Sequence, residues 1–454
     1  MVDPYTDTVL FEYDDPTGAT ALGLKAYSAD GSAAYIKTPA ANLYSGVFAY
    51  KPNAYGVALT NILPLEEYVA GVVPYEISNS WPVEVIKAFS ITVRSYVISN
   101  KGRHMASYGF DVCNDQHCQV YKGQGRVNDS VRNAVAATAG KVLTYNGAIC
   151  TTYYSSSTGG STVNSGDAWG GANRPYLAAK LTPWEDYMNH YNGFWTVEVS
   201  PTELCAYLRG KGYDFYDAIA SVTPVEIVDG STYVYRLKIT DIHGNSVTLK
   251  NTDVIRSTLG KYLNSANFVV GRGSVEYTEA TIAKPAGSTT EPEEISEDKN
   301  YGYTDLSSYT VITADGVEVG SILGYVGAIT GDGAIMYGRA SVFAICADNA
   351  EAFENASTGA ASIDTAAAET TAAETTAETY APSDAPAAYT TGTAVKTAYA
   401  SSADNFIFVG KGWGHGVGMS QYGAKDLAEQ GYSYDYILKA YFNDTVITDY
   451  RSLS

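Results

Sequence analysis

The sequence predicts a mixed α+β protein with long insertions, and three observations carry that reading. "NSWPVEVIKAFSITVRSYVISNKG" places apolar residues at spacings of three and four between Pro82 and Gly102, the pattern of a buried helix. Runs such as "GVALTNI", "TYVYRLKIT" and "NFIFVG" are rich in strand formers and are bounded by Gly, Pro, Asn and Asp turns. Two other stretches, "KPAGSTTEPEEISEDKN" and "ASIDTAAAETTAAETTAETYAPSDAPAAYTTGTA", hold too little apolar surface to offset the entropy of ordering and read as disordered linkers.

These composition shifts divide the 454 residues. Residues 1–56 form an N-terminal β-rich region, and 57–275 the first part of a main domain. An acidic linker spans 276–300, an inserted β-rich segment 301–350, and an Ala/Glu/Thr low-complexity linker 351–404. Residues 405–454 form a last segment, which a family resemblance carried by its motifs implies is the C-terminal part of the main domain, completing its groove. Within 57–275, "PLEEYVAGVV" reads as a short helix that stops before Pro74, which leaves Glu76 on a loop. The long helix follows, with Ser80 as its N-cap. Its apolar stripe is Val85, Phe89, Val93 and Tyr96 or Val97, with Lys87, Ile91 and Arg94 on another face. "DSVRNAVAATAG" is a further helix capped by Asp129 and ended by Gly140. "KVLTYNGAICTTYYSSS" is a hairpin turned by Asn146-Gly147. "STVNSGDAWGGANRPYLAA" reads as a Gly-rich loop and "PTELCAYLRG" as a helix. A helix begins near Gln421 and stops at Gly431, and the last one, "YDYILKAYF", is capped by Ser433.

A net charge of −20 argues against nucleic acid as a partner, because such binders carry a basic footprint. No apolar run approaches the roughly 20 residues that span a bilayer. "MVDPYTDTVLFEYDD" lacks the basic and apolar blocks of an export signal. Five cysteines are too few, and odd in number, for a disulfide framework.

Four places could carry chemistry. Glu76, beside Pro74, Tyr75, Ile77 and Trp81, is a carboxylate that partial desolvation would turn into a general acid; the plainer reading is a solvent-facing Glu. "FDVCNDQHCQVY" offers Cys113, His117 and Cys118, with His104 upstream, as metal ligands. His117 and Cys118 are neighbours and would point apart in an extended chain, which favours His104 as the third ligand. Two reduced, buried cysteines are the competing reading. Ser155, Ser156 and Ser157 lack a nucleophile-elbow motif and read as hydrogen-bond donors along a groove or as a strand end. Trp169, in a loop, could stack on a sugar or cover the core. In "GKGWGHGVGMSQYGA", glycine falls at 410, 412, 414, 416 and 418. An extended chain would leave one face bare there and carry Lys411, Trp413, His415, Val417 and Met419 on the other. The alternatives are a lane for a ligand or a tightly packed segment. The spacing of a phosphate loop is missing, and no organic cofactor is expected.

Together, "LPLEEYVAGVVPYEISNSWPVEVIKAFSITVRSYV", "FDVCNDQHCQVYKG", "TYNGAICTTYYSSSTGGSTVNSGDAWGG", "PYLAA" and "GKGWGHGVGMSQYGAKDLAEQGYSYDYILKAYF" resemble the stage II sporulation protein D family, which includes amidase-enhancer relatives. The likeness covers about residues 57–190 and 405–445, more faintly 230–270, and does not extend to the linkers or 301–350. It implies an extracytoplasmic envelope protein acting on peptidoglycan. The reaction implied is lytic transglycosylation, with cleavage between N-acetylmuramic acid and N-acetylglucosamine and a 1,6-anhydro product. Members prefer glycan stripped of stem peptides. The resemblance makes Glu76 the catalytic acid and base and matches Arg94 to the family's helix arginine. Arg94, Ser155, Ser156, Trp169, Trp413, His415 and Gln421 are then the expected substrate-binding set. In some members a structural zinc is held near the active site, in the region matched by Cys113 and Cys118, with His104 and His117 as candidate further ligands. Glycan strands and a cell-wall amidase are the expected partners. The rival readings are a glycan-binding amidase enhancer without activity and a zinc-dependent cell-wall amidase.

Overall fold

A computed structural model of the chain describes residues 22–26, 34–38, 40–53, 56–282 and 391–453, with short strands among residues 309–345. The remainder of the inserted segment, and the linker residues 283–300 and 351–390, lie outside the described residues. The fold is mixed α+β, with helices and several small sheets. Among the described residues no helix is long and apolar enough to cross a membrane.

The chain divides into two compact units. One comprises residues 1–68, 101–125 and 297–388; the other comprises 69–100, 126–296 and 389–454. In the first, strands Val47–Asn53 and Gly56–Ile62 pair antiparallel. An aromatic cluster of Tyr44, Phe48, Tyr68 and Tyr121 fills the space beside them, all buried. Burying Asn61 there is tolerable because its amide is satisfied. It donates to the Ser45 carbonyl at 2.9 Å and accepts from Tyr121 Oη at 2.6 Å.

Two helices follow one another along the chain: α1 runs Leu65–Glu76, of which residues 69–76 belong to the second unit, and α2 runs Val83–Ser99 within that unit. Pro74 does not stop α1, contrary to the sequence expectation. The proline removes one backbone donor near the end of the helix, while Ile77 N–H still bonds the Val73 carbonyl at 2.9 Å. Glu76 is therefore the last helical residue rather than a loop residue. The N-cap of α2 is Pro82, not Ser80. Helix Asp129–Ala137 is capped by Asn128, whose side chain accepts from Val131 N–H at 3.0 Å, not by Asp129.

α2 is buried well beyond its apolar stripe. Ser90, Thr92 and Ser95 point inward and return their hydroxyls to the carbonyls four residues back, which satisfies them without solvent. Helices Asp129–Ala137, Gln421–Glu429 and Tyr434–Tyr441 and strand Lys141–Tyr145 surround it. Elsewhere in this unit, strand Phe406–Lys411 is the centre of a three-stranded antiparallel sheet between Phe268–Arg272 and Phe194–Val199. Strands Ser274–Ile282 and Thr391–Tyr399 pair along their whole length. Each lies at an edge of an expected linker, so ordered pairing reaches further into both than composition suggested.

A buried carboxylate ties three distant segments together. Glu185 is fully buried and accepts from Ser157 Oγ at 2.6 Å, Thr158 N–H at 2.9 Å, Thr158 Oγ1, Thr182 Oγ1 at 3.3 Å and Ser420 Oγ at 2.9 Å. A carboxylate is an acceptor only, so all these donors converge without conflict. Ser420 is also the N-cap of helix Gln421–Glu429, accepting from Gly423 N–H at 3.0 Å. Replacing Glu185 by Gln turns one acceptor atom into a donor facing donors. We expect Glu185→Gln to lower stability by about 3 kcal/mol, read as a lower midpoint in urea unfolding.

Candidate functional site

In the first unit, four side chains named from the sequence converge. The ligand atoms of His104, Cys113, His117 and Cys118 all lie within 4.8 Å of one another. His104 Nε2 is 3.3 Å from Cys118 Sγ, and His117 Nδ1 is 3.5 Å from both Cys113 Sγ and Cys118 Sγ. The argument that His117 and Cys118 must diverge assumed an extended chain. Instead residues 115–118 form a turn: Asp115 accepts from His117 N–H through its side chain at 2.9 Å and from Cys118 N–H through its carbonyl at 3.1 Å. Adjacent side chains then face the same point. The two thiols are electrically unequal. The hydrogen bond between them raises Cys113 and lowers Cys118 to about 7, so Cys118 is the first of the two to give up its proton. A tetrahedral zinc with ordinary bond lengths would hold sulfur and nitrogen about 3.6 Å apart. The donor set and spacing fit such an ion.

In the second unit, the expected substrate-binding residues fall into separate places. Glu76 is half-buried at the C-terminal end of α1. The loop after it carries Trp81, whose ring lies 5.2 Å from that of Tyr422. Tyr422 N–H bonds the Ser156 carbonyl at 3.1 Å, and its ring stacks on His190 at 4.6 Å. His190 Nε2 is in turn held by Asp426 at 2.9 Å. Gln421 is half-buried in the first turn of the same helix as Tyr422. Neither Tyr422 nor the His190–Asp426 pair was singled out from sequence; 236 residues separate the latter two, and no local pattern joins them.

Arg94 does not line a groove. It is fully buried on α2 and donates Nη1 to the Lys141 carbonyl at 2.9 Å. The expectation failed because α2 has no solvent face at that level. Ser155 is also buried, and its Oγ has no hydrogen-bond partner among the described residues.

The glycine-alternating segment is not an extended strand with a bare face. Beyond Lys411 the backbone takes positive φ at Gly412, Gly414, Gly416 and Gly418, a conformation that L side chains rarely adopt. The space beside these glycines is filled by protein. A Cβ on Gly412 would come within 2.7 Å of the Ser157 carbonyl, and one on Gly414 within 2.7 Å of Ser155 Cβ. Trp413 and Ser157 exchange backbone hydrogen bonds at 2.9 and 3.2 Å. Gly412, Gly414 and Gly418 thus admit residues 153–159, and Gly416 admits the Tyr233 ring, rather than a ligand.

The residues between them do different work. Trp413 is 39% exposed and stacks on Tyr191, itself 73% exposed, at 5.9 Å. His415 turns the other way. It packs against Trp169 at 5.0 Å, and Trp169 packs against Tyr153 at 4.7 Å. Trp169 closes a short helix, Ser165–Trp169, rather than sitting on an open loop, and remains 41% exposed. His415 accepts from Val417 N–H at Nδ1, 3.0 Å. Burial holds the imidazole down at about 4, with Asp253 pulling the other way. A neutral ring with its proton on Nε2 serves as a packing and positioning group, not as a cationic clamp.

Residues 53–145, which include α1, α2 and the Cys/His turn, match the family model described as stage II sporulation protein. The chain is 27% identical over 385 residues to the amidase enhancer of Bacillus subtilis (84% of this chain, 40% of that protein). It is 32% identical over 221 residues to stage II sporulation protein D of the same organism, and 30% over 220 residues to that of Bacillus amyloliquefaciens (each 45% of this chain and 60% of the relative). The chain spans between 40% and 60% of the length of the curated relatives it matches.

The depressed pKa of His415 has a measurable consequence. A histidine kept neutral in the folded state stabilises the fold above its unfolded pKa, near 6.5, and that contribution is lost as pH falls towards 4. An NMR titration of His415 is expected to show a midpoint near 4. His415→Gln is expected to flatten the fall in stability across that window.

Proposed function

The chain carries a domain of the stage II sporulation protein D family, and on that premise we propose that it is a peptidoglycan lytic transglycosylase working outside the cytoplasm. The observation that carries the proposal is the half-buried Glu76, the last residue of α1, which lies with α2 inside the matched region. One carboxylate is enough for this reaction. Glu76 protonates the oxygen that leaves C1 of N-acetylmuramic acid as the glycosidic bond breaks. The 6-hydroxyl oxygen of the same sugar then bonds to C1, and its proton returns to Glu76. The product is a 1,6-anhydro end and no water is consumed. An ordinary glycosidase would need a second carboxylate to activate water or to act as nucleophile.

We further propose that His104, Cys113, His117 and Cys118 hold a zinc ion. Four protein ligands complete a tetrahedron and leave no open position, the pattern of a structural site. Zinc there supplies a cross-link for the 104–118 turn and no reacting oxygen, which speaks against the zinc-amidase reading. Cys118→Ser is expected to abolish zinc retention, measured by metal analysis after gel filtration, while Glu76→Gln retains it.

The second reading, a glycan-binding protein that stimulates a separate amidase, draws on the long alignment to the amidase enhancer. Mass spectrometry of soluble products from peptide-stripped glycan separates the two. The transglycosylase reading expects anhydro ends from the wild-type chain and a rate lower by about 10²–10⁴-fold in Glu76→Gln with an unchanged melting temperature. Undiminished activity in that variant removes Glu76 from the mechanism, and no soluble product at all favours the stimulator.

A further inference from the structure

We infer that Tyr422 contacts the glycan strand through its hydroxyl, and that His190 and Asp426 are positioning residues that hold its ring for that contact. The identity of the ligand rests on the glycan reading above; the contact itself does not depend on Glu76. What points to it is a difference among the tyrosines. Fully buried tyrosines bring their hydroxyls to protein partners. Tyr121 donates to Asn61 Oδ1 at 2.6 Å and Tyr233 to the Thr158 carbonyl at 3.1 Å, and Tyr441 accepts from Trp184 Nε1–H at 2.8 Å. Tyr422 is half-buried, and its hydroxyl has no hydrogen-bond partner among the described residues.

The ring that carries this hydroxyl is nevertheless fixed. Its backbone N–H bonds the Ser156 carbonyl at 3.1 Å, in the first turn of helix Gln421–Glu429. The ring stacks on His190, with centroids 4.6 Å and planes 22° apart. Asp426 stands four residues after Tyr422 on the same helix, so both side chains leave one face and meet the same imidazole. A carboxylate can only accept, so His190 Nε2 donates to Asp426, at 2.9 and 3.1 Å to its two oxygens. Asp426 also accepts from Asp186 N–H at 2.8 Å. The His190 and Asp426 side chains are only 6% and 5% exposed, and His190 Nδ1 has no partner among the described residues. The imidazole is thus tied at one nitrogen and otherwise serves as a plate behind Tyr422.

The free hydroxyl lies beside the loop of the candidate acid. Trp81, whose ring is 5.2 Å from that of Tyr422, comes five residues after Glu76. Five residues reach at most about 18 Å when fully extended, and this loop turns back, with Trp81 N–H on the Ser78 carbonyl at 3.2 Å. Tyr422 is thus within a few sugar rings of Glu76. Each ring of a peptidoglycan strand carries one strong neutral acceptor, the acetamido carbonyl, with a methyl group beside it. A phenol next to an indole matches that pair: the O–H donates to the carbonyl, and the Trp81 ring packs the methyl. The contact binds and orients the strand, and no bond forms or breaks at Tyr422.

The test is a calorimetric titration of the full chain carrying Glu76→Gln, which keeps the ligand from being cut. The ligands are the N-acetylglucosamine tetramer and cellotetraose, which has hydroxyls in place of the acetamido groups. The acetylated tetramer is expected to bind about tenfold more tightly or better. Adding Tyr422→Phe is expected to weaken it by about three- to tenfold, the worth of one hydrogen bond. Cellotetraose binding and the melting temperature are expected to stay unchanged, because the hydroxyl holds nothing in the fold. His190→Ala is expected to weaken the acetylated tetramer in the chain that keeps Tyr422 and to add about twofold or less in Tyr422→Phe, as for a residue that acts through another. No binding of the acetylated tetramer, equal binding of the two ligands, or Tyr422→Phe binding as tightly as its parent overturns the contact. So does a lowered melting temperature in Tyr422→Phe. Full additivity of the two substitutions overturns the positioning role; should His190→Ala fail to fold, His190→Phe, which keeps a flat ring and drops only the hydrogen bond, takes its place in the cycle. Tyr422-dependent binding with no anhydro product from the wild-type chain sinks the reaction proposed above and leaves this contact standing. Anhydro product with unimpaired binding by Tyr422→Phe does the reverse.

Discussion

One buried carboxylate sets the path of the second unit. Glu185 gathers donors from its neighbour Thr182 and from two distant segments, at 157–158 and at 420, which close around its two oxygens. Without it, those hydroxyls and the Thr158 N–H would be buried with unmet demand, at a cost comparable to a large share of a domain's net stability. Because Ser420 also caps helix Gln421–Glu429, the same carboxylate fixes where that helix starts and hence where Tyr422 and Asp426 sit. Tyr422 meets Trp81 on the loop after Glu76, so the setting of the candidate acid is linked to Glu185 through packing.

The alternating glycines follow from this constraint. For residues 412–418 to lie against 153–159 and still reach Ser420, the backbone must turn repeatedly through positive φ with no side chain on the inner side. The intervening residues are then sent to separate stations: Trp413 outward beside Tyr191, His415 inward beneath Trp169. What looked like a lane for a sugar chain is a seam within the protein. Trp413, Tyr191 and Trp169 nonetheless keep part of their rings exposed.

Much of the fold was legible because its signals are local. The α2 stripe, the Asn146-Gly147 turn, the Ser433 cap and the central strand Phe406–Lys411 all lie where apolar spacing and turn chemistry place them. The site was legible where its residues are close in sequence, as in the gathering of Cys113, His117 and Cys118. It was not legible where long-range packing decides. Arg94 reads as a polar face of a helix, yet neighbours cover α2 at that level. Pro74 reads as a stop, yet it falls where a helix loses only one bond. Glu185 stands in "TPWEDY" with nothing nearby to mark it as the acceptor for two distant segments.

The most direct test of the account is a crystal structure of the Glu76→Gln variant with a peptide-stripped glycan tetrasaccharide. The account predicts the side-chain amide at position 76 within about 3 Å of a glycosidic oxygen between N-acetylmuramic acid and N-acetylglucosamine. A glycan bound with that oxygen remote from position 76, or a residue 76 side chain pointing to solvent beside an occupied groove, would contradict it.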